Sequence, residues 1–294
     1  MDYPSGWPMV AAANVRRARP LSGGATPLVN VGDQVRPDQP IAERPLANGG
    51  REPILAGLAG RVAQIAPGRS VGIEGVATII HGVCGIGGAA AGTLHFLARG
   101  ESVAVVRIPR GAVIVFPGQI PLTLLQRAAA EGAAALIGGS IGVRDLEALT
   151  RADMTAVLDG MRLDATHMPL PLVLTEGIGS FAMDSAMFQI LSQRAGDVAL
   201  ISTATDPRRA IRPEVLLALP LGSPAQPLPA DDTITLGARV RLVAGPGRGT
   251  RGEVVYQFAQ RQTLAPGLVV PAVRVRLEDG ASQVVPVAFI ERVG

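Results

Sequence analysis

HGVCGIGGAAAGTLHFLARG, residues 81–100, supports three incompatible readings: a dinucleotide-binding turn, a membrane-spanning helix, or glycine-punctuated β structure. Each leads to a different fold. The dinucleotide reading rests on VATIIHGVCGIGGAAAGTLHFLARGESVAVVR, residues 76–107, which has the order strand, glycine turn, helix, strand, with Gly85, Gly87 and Ala90 satisfying GxGxxA. Its chemistry fails at the far end, where a ribose-binding carboxylate should close the second strand and Arg107 stands instead. An arginine would suit a 2′-phosphate, but His81 to Cys84 also separate the apolar strand from the first motif glycine.

The membrane reading rests on the absence of formal charge from Gly75 to Ala98, a length sufficient to cross a bilayer, and on Gly88 and Gly92 in a GxxxG spacing. Against it, six glycines, His81 and His95 dilute the run, and its flanks, Glu74 and Arg99, hold no arginine cluster to orient a helix. The residues upstream favour the third reading. TPLVNVGDQVRPDQPIAE (26–43) is a strand, a Gly32-Asp33 turn and a second strand, and ILAGLAGRVAQI (54–65) repeats the plan with Gly57 and Gly60 as breakers. Residues 81–100 would complete this β domain, giving a first unit over 1–100.

Composition narrows the functions open to the chain. With 48% hydrophobic and 17% charged residues over 294 positions it has enough apolar material for two or three folded units, and 36 glycines and 24 prolines favour short strands and turns. The chain has no lysine, so all 27 basic residues are arginines. Schiff-base chemistry, a P-loop lysine and biotinyl or lipoyl attachment are therefore excluded, because each needs a primary amine. A formal charge of +3 is weak evidence for a polyanionic partner, whatever the pI near 9.9 suggests. The single cysteine, Cys84, excludes an internal disulfide and suits a reducing compartment. The start, MDYPSGWPMVAAANVRRARP, does not resemble a secretory signal, so a cytoplasmic location is expected. His81, Cys84 and His95 are irregularly spaced and lack a fourth partner, so no metal and no cofactor is expected.

From Arg110 to Ser202 the rhythm changes. AVIVF (112–116) and AALIG (134–138) read as strands buried on both faces, joined by a helix over PLTLLQRAAAEG (121–132). LPLVLT (170–175) and VALIS (198–202) add two strands, separated by a helix capped by Ser180 with Met183, Met187, Ile190 and Leu191 on one stripe. A small parallel or mixed α/β unit over 101–220 is expected. Three of its strands are expected to end in turn-forming or polar stretches, FPGQ (116–119), GGS (138–140) and TEGIGS (175–180). Ligands in open α/β sheets sit beyond the carboxyl ends of strands, which makes Gly139, Ser140, Thr175, Glu176 and Gly177 candidate ligand-binding residues. The plain alternative is that the glycines only let each strand turn into its helix. Gly138, Ser140 and Gly142 also match a nucleophile elbow, with Asp164 and His167 following in hydrolase order. The region is too small for that fold, and a turn serine is the expectation, with no catalytic residue assigned. Glu176, at the end of a buried strand, is a carboxylate placed for desolvation.

LGSPAQPLPADD (221–232) reads as a linker, taken as 221–231. LGARVRLVAGPGRGTRGEVV (236–255) follows, an arginine-bearing strand, a loop with Gly245, Gly247, Gly249 and Gly252, and a second strand; AVRVRLEDGASQVVPVAFIERV (272–293) supplies further strands with a hairpin at Asp279-Gly280.

Two resemblances follow from these motifs. VGDQVRPDQPIAE with GRVAQI is similar to barrel-sandwich domains related to biotinyl and lipoyl carriers, of which only the scaffold is implied, since no lysine exists to modify. Residues 236–255 resemble a KOW motif, and the whole order, with GVCGIGGAAAG, GGS and LPLVLTEGIGSFAM, resembles a family of bacterial KOW-domain proteins. The resemblance implies an α+β multidomain chain: an N-terminal β barrel-sandwich-like domain, a small α/β middle domain and a C-terminal SH3-like β-barrel over 232–294. It brings no activity with it. KOW modules touch RNA, DNA or protein, so Arg239, Arg241, Arg248 and Arg251 are the residues implied to meet phosphates. Asp231, Asp232, Glu253, Glu278, Asp279 and Glu291 nearly balance the arginines, so a protein-facing barrel is an equal alternative. The expected role is a non-enzymatic binding or adaptor protein contacting nucleic acid, a ribonucleoprotein or a protein partner, with no membrane association. Alternatives are a small-molecule enzyme or sensor using the loops around Ser140 and Glu176, and a structural assembly subunit.

Overall fold

A computed structural model describes residues 9–97, 105–150, 168–205, 211–225, 234, 236–258, 260–264 and 268–292. Strand dominates, with three short α-helices among the described residues. No helix there is long and apolar enough to cross a membrane.

In the N-terminal region β1 (Met9–Pro20) pairs antiparallel with β7 (Ser70–His81) along nearly its whole length. The other edge of β7 carries β6 (Gly60–Ala66) on its first half and β14 (Glu214–Ala218) on its second. β3 (Gln34–Val35) extends β6, while β2 (Thr26–Pro27), β4 (Pro40–Pro45) and β5 (Arg51–Leu55) form a small separate sheet. Val15, Ile41, Leu58, Val62 and Ile73 fill the space between them.

Of residues 81–100, those described hold the end of β7 and two further strands joined by short turns, and no helix. β8 (Cys84–Ile86) pairs antiparallel with β12 (Leu172–Ile178), and β9 (Ala89–Phe96) runs between β10 (Val113–Ile120), parallel, and β13 (Val198–Ser202), antiparallel. The ladder therefore crosses the boundary expected at residue 100, because both edges of β9 are occupied by strands of the middle region. Alanine-rich β9 has poor strand propensity, and two filled edges override it. Gly92 shows why the stretch carries glycine: a Cβ there would lie 2.1 Å from the Gly111 carbonyl oxygen.

The middle region completes a mixed sheet in the order β14-β13-β9-β10-β11-β12-β8, with β11 at Ala135–Ile141. Helices α1 (Leu122–Ala130) and α2 (Val143–Thr150) cover one face, where Leu124, Leu125 and Leu146 meet Ile114, Leu136, Leu172 and Leu174. On the other face α3 (Ser185–Ser192) sets Met187 and Leu191, with Met183 ahead of it, against Val113, Val115, Ile137 and Val173. Successive residues of each strand alternate between these two cores, which is why the strands read as unbroken apolar runs. The cap of α3 is Asp184, whose Oδ1 accepts from the Met187 N–H at 3.3 Å, and not Ser180. Ser180 lies too early because residues 179–184 form a separate non-helical connection.

The C-terminal sheet is antiparallel, ordered β20-β19-β16-β15-β21: β15 (Arg239–Leu242), β16 (Arg251–Gln257), β19 (Ala272–Leu277), β20 (Ser282–Pro286) and β21 (Ile290–Arg292). A two-stranded ribbon, β17 (Gln262–Leu264) with β18 (Leu268–Val270), projects between β16 and β19. Val240, Leu242, Val254, Val275 and Ile290 form the core of this sheet.

Candidate functional site

The candidate site at the strand ends is built on two β-bulges. Against Gly138 and Ser140 of β11, β10 spends one extra residue between Phe116 and Gln119, and β12 spends one extra between Leu174 and Gly177. FPGQ and GGS thus lie inside paired strands and not in turns at their ends, because the ladder resumes beyond each bulge. On β12 the bulge redirects Glu176. Strict alternation would send Glu176 to the face of Leu172 and Leu174, under α1 and α2; instead its Oε1 accepts from the Asp184 N–H at 3.2 Å, on the α3 side.

Ser140 is fully buried, and its Oγ both donates to the Phe181 carbonyl and accepts from the Phe181 N–H, each at 2.8 Å. Gly139 is packed as tightly: a Cβ there would stand 2.4 Å from the Met183 nitrogen. GGS thus clamps the 181–183 backbone onto the sheet. Ser140 lies within a strand three residues before α2, so no strained strand-to-helix elbow presents it to solvent. Asp164 and His167 lie outside the described residues. The Thr175 hydroxyl donates to the Gly138 carbonyl at 3.3 Å and lies 3.4 Å from Glu176 Oε1. Gly177 follows the bulge with a φ of 90°.

Glu176 itself is the chemically distinctive member. Its side chain is 1% exposed, and burial pushes its carboxyl above the usual range, opposed by the charge of Arg248, the Asp184 N–H and Thr175. Arg248 comes from the glycine loop between β15 and β16, and its Nη1 forms an ion pair with Glu176 Oε2. Two residues that the sequence assigns to separate sites, one for a ligand and one for phosphates, are therefore partners.

The remaining candidate arginines divide between two environments. Arg241 is buried and ion-paired with Glu291, which Arg212 also reaches at 3.1 Å from just ahead of β14. Burial, with Arg251 and Arg212 nearby, lowers the pKa of Arg241. Arg239 and Arg251 are exposed on the same outward side of the sheet, beside an open groove of about 370 Å³ that Glu253, Arg276 and Glu278 also line. Docking against the middle region thus consumes Arg241 and Arg248 and leaves Arg239 and Arg251 in solvent.

Sequence reasoning missed Arg274 and Arg276, although AVRVRL on β19 alternates valine and arginine and so marks a strand with one charged face. It also missed Tyr256 and Phe258, whose placement depends on a bulge between Val254 and Tyr256 of β16. Among the described residues no group of three histidine, cysteine, aspartate or glutamate side chains is placed to hold a metal ion. His81, Cys84 and His95 fall on β7, β8 and β9 respectively. Compared with known proteins, the chain matches no family model and no curated protein.

Proposed function

We propose that the chain is a non-enzymatic binding protein whose C-terminal sheet, a KOW-type SH3-like module, contacts a nucleic acid or ribonucleoprotein. The observation that carries this reading is the exposed groove where Arg239, Arg251 and Arg276 outnumber Glu253 and Glu278, since guanidinium groups already in solvent meet phosphates at little desolvation cost. The strand order supports the SH3-like assignment, since three serial antiparallel pairings are followed by a 3-10 turn (Val287–Phe289) and a last strand that returns to the first. The N-terminal β region serves in this proposal as a barrel-sandwich-type scaffold without an attachment lysine. Retention on RNA or DNA that weakens with added salt tests the reading. Arg239→Ala and Arg251→Ala should each weaken binding and reduce the salt slope by about one; no binding at low salt overturns it.

A second reading, a small-molecule sensor or enzyme at the strand ends, is favoured by the two bulges around a buried carboxylate, since bulges concentrate next to functional sites. Thermal-shift measurements with nucleotides and phosphorylated metabolites test it on the native chain and on Arg248→Ala, because a ligand specific for the folded state raises the melting temperature. No shift in either protein removes it.

A further inference from the structure

The outward face of the C-terminal sheet has one half covered and one half open. Arg241 and Glu291 point outward from β15 and β21 and are buried under Arg212, while the face continues uncovered across β16, β19 and β20. Register fixes what the open half displays, because directly paired residues share a face. One row is Arg239, Glu253, Arg276 and Ser282; the next is Tyr256, Arg274 and Val284.

Tyr256 reaches this face only because β16 is bulged. Val254 pairs with Val275 in the core, and the next pair is Tyr256 with Arg274, so Val255 is an extra residue. In an unbulged register Tyr256 would pair with Val273 and follow Val254 inward by strict alternation. The ring is instead 52% exposed, at the base of the β17–β18 ribbon. It is braced by Phe258 in a T-shaped arrangement, 4.9 Å between centroids at 74°, and the Arg274 guanidinium lies 5.7 Å from the Phe258 centroid. Side chains two apart on a strand stand about 7 Å from one another, so Arg274 and Arg276 form a short ladder beside the aromatic pair. Arg276 is ion-paired with Glu253 at 2.7 Å, whereas Arg239, Arg251 and Arg274 have no carboxylate partner among the described residues.

We propose that this open half-face is a binding platform for single-stranded nucleic acid, on which one base stacks against Tyr256 while Arg274 and the Arg239–Arg251 groove hold the flanking phosphates. This inference rests on the nucleic-acid reading above and specifies its form. An exposed, braced aromatic ring between guanidinium groups suits a splayed-out base, whereas stacked bases in a duplex present no free ring face. The surplus of arginine over glutamate on the face fits a polyanion and disfavours a basic or apolar protein partner.

Fluorescence anisotropy with labelled 12-nucleotide poly-U, poly-dT and a duplex of equal length tests the proposal on the full chain. Single strands should bind at least about tenfold more tightly than the duplex, Tyr256→Ala should lose roughly ten- to a hundredfold, and Tyr256→Phe should retain most of the affinity. Because Tyr256 is exposed, its loss should leave the melting temperature nearly unchanged, which a thermal scan verifies. Equal binding of duplex and single strand, or single-strand binding that Tyr256→Ala leaves intact, overturns the platform while the broader reading stands. Absence of any binding at low salt overturns both.

Discussion

The Glu176 carboxylate and the Arg248 guanidinium, one on the bulge of a central strand and the other on the C-terminal glycine loop, form an ion pair that closes the strand ends of the middle sheet. Glu176 is almost wholly buried, whereas Arg248 keeps 35% of its side chain in solvent. The two partners therefore respond differently to loss of the other. Arg248→Ala strands a buried carboxylate and should cost about 2 kcal/mol, less than the 3–5 kcal/mol typical of a wholly buried pair. Urea unfolding measures it, and amide exchange should rise in the 245–250 loop. An unchanged midpoint would show that the contact contributes nothing.

Ionisation of Glu176 should tie stability to pH with a definite sign. Its folded-state pKa is raised by burial, so the folded chain binds its proton more tightly than the unfolded chain. That contribution is complete below the usual carboxylate range and is lost as pH rises through the raised value. Glu176→Gln cannot titrate, so its stability relative to the native chain should improve with rising pH across that window. Paired urea titrations at several pH values give the slope, and the opposite slope refutes the assignment.

Gly139 and Ser140 should differ in what they contribute. Gly139→Ala drives a methyl group into the Met183 backbone and should cost about 3 kcal/mol. Ser140→Ala removes two hydrogen bonds to Phe181, whose backbone is only partly buried, and should cost about 1 kcal/mol. Thermal denaturation ranks the two variants; a larger loss for Ser140→Ala contradicts the clamp.

Cys84 provides a chemical probe of the middle sheet. Burial pushes its thiol up to about 12, so almost none is thiolate at pH 8. Reaction with a disulfide reagent should be slow in the native chain and fast in urea. Rapid native labelling would mean that β8 opens readily from β12.

Arg241 should behave as a stability residue. Arg241→Ala leaves Glu291 buried with Arg212 as its remaining cation and should lower the urea midpoint, whereas Arg239→Ala, at an exposed position, should leave it within about 0.5 kcal/mol. Equal effects of the two variants would contradict the division of the arginine face.

Local pattern alone was enough for much of this molecule. Unbroken runs such as AVIVF and LPLVLT announced strands buried on both faces, because period-two alternation between two apolar cores leaves no polar position. Glycine and proline spacing marked the chain as strand-rich, and the absence of lysine excluded whole classes of chemistry. Tertiary structure decided which edges pair and which polar groups meet. Residues 81–96 carry weak strand propensity, and their conformation follows from partners far away in sequence, β12 and β13. Bulges decided the rest: one extra residue in a ladder inverts which face a side chain takes, and no local signal distinguished Thr175-Glu176 or Val255 from an ordinary strand. That inversion turns Glu176 toward Asp184 and Arg248 and Tyr256 toward solvent, since side-chain direction is set by cross-strand register, a property of two segments and never of one.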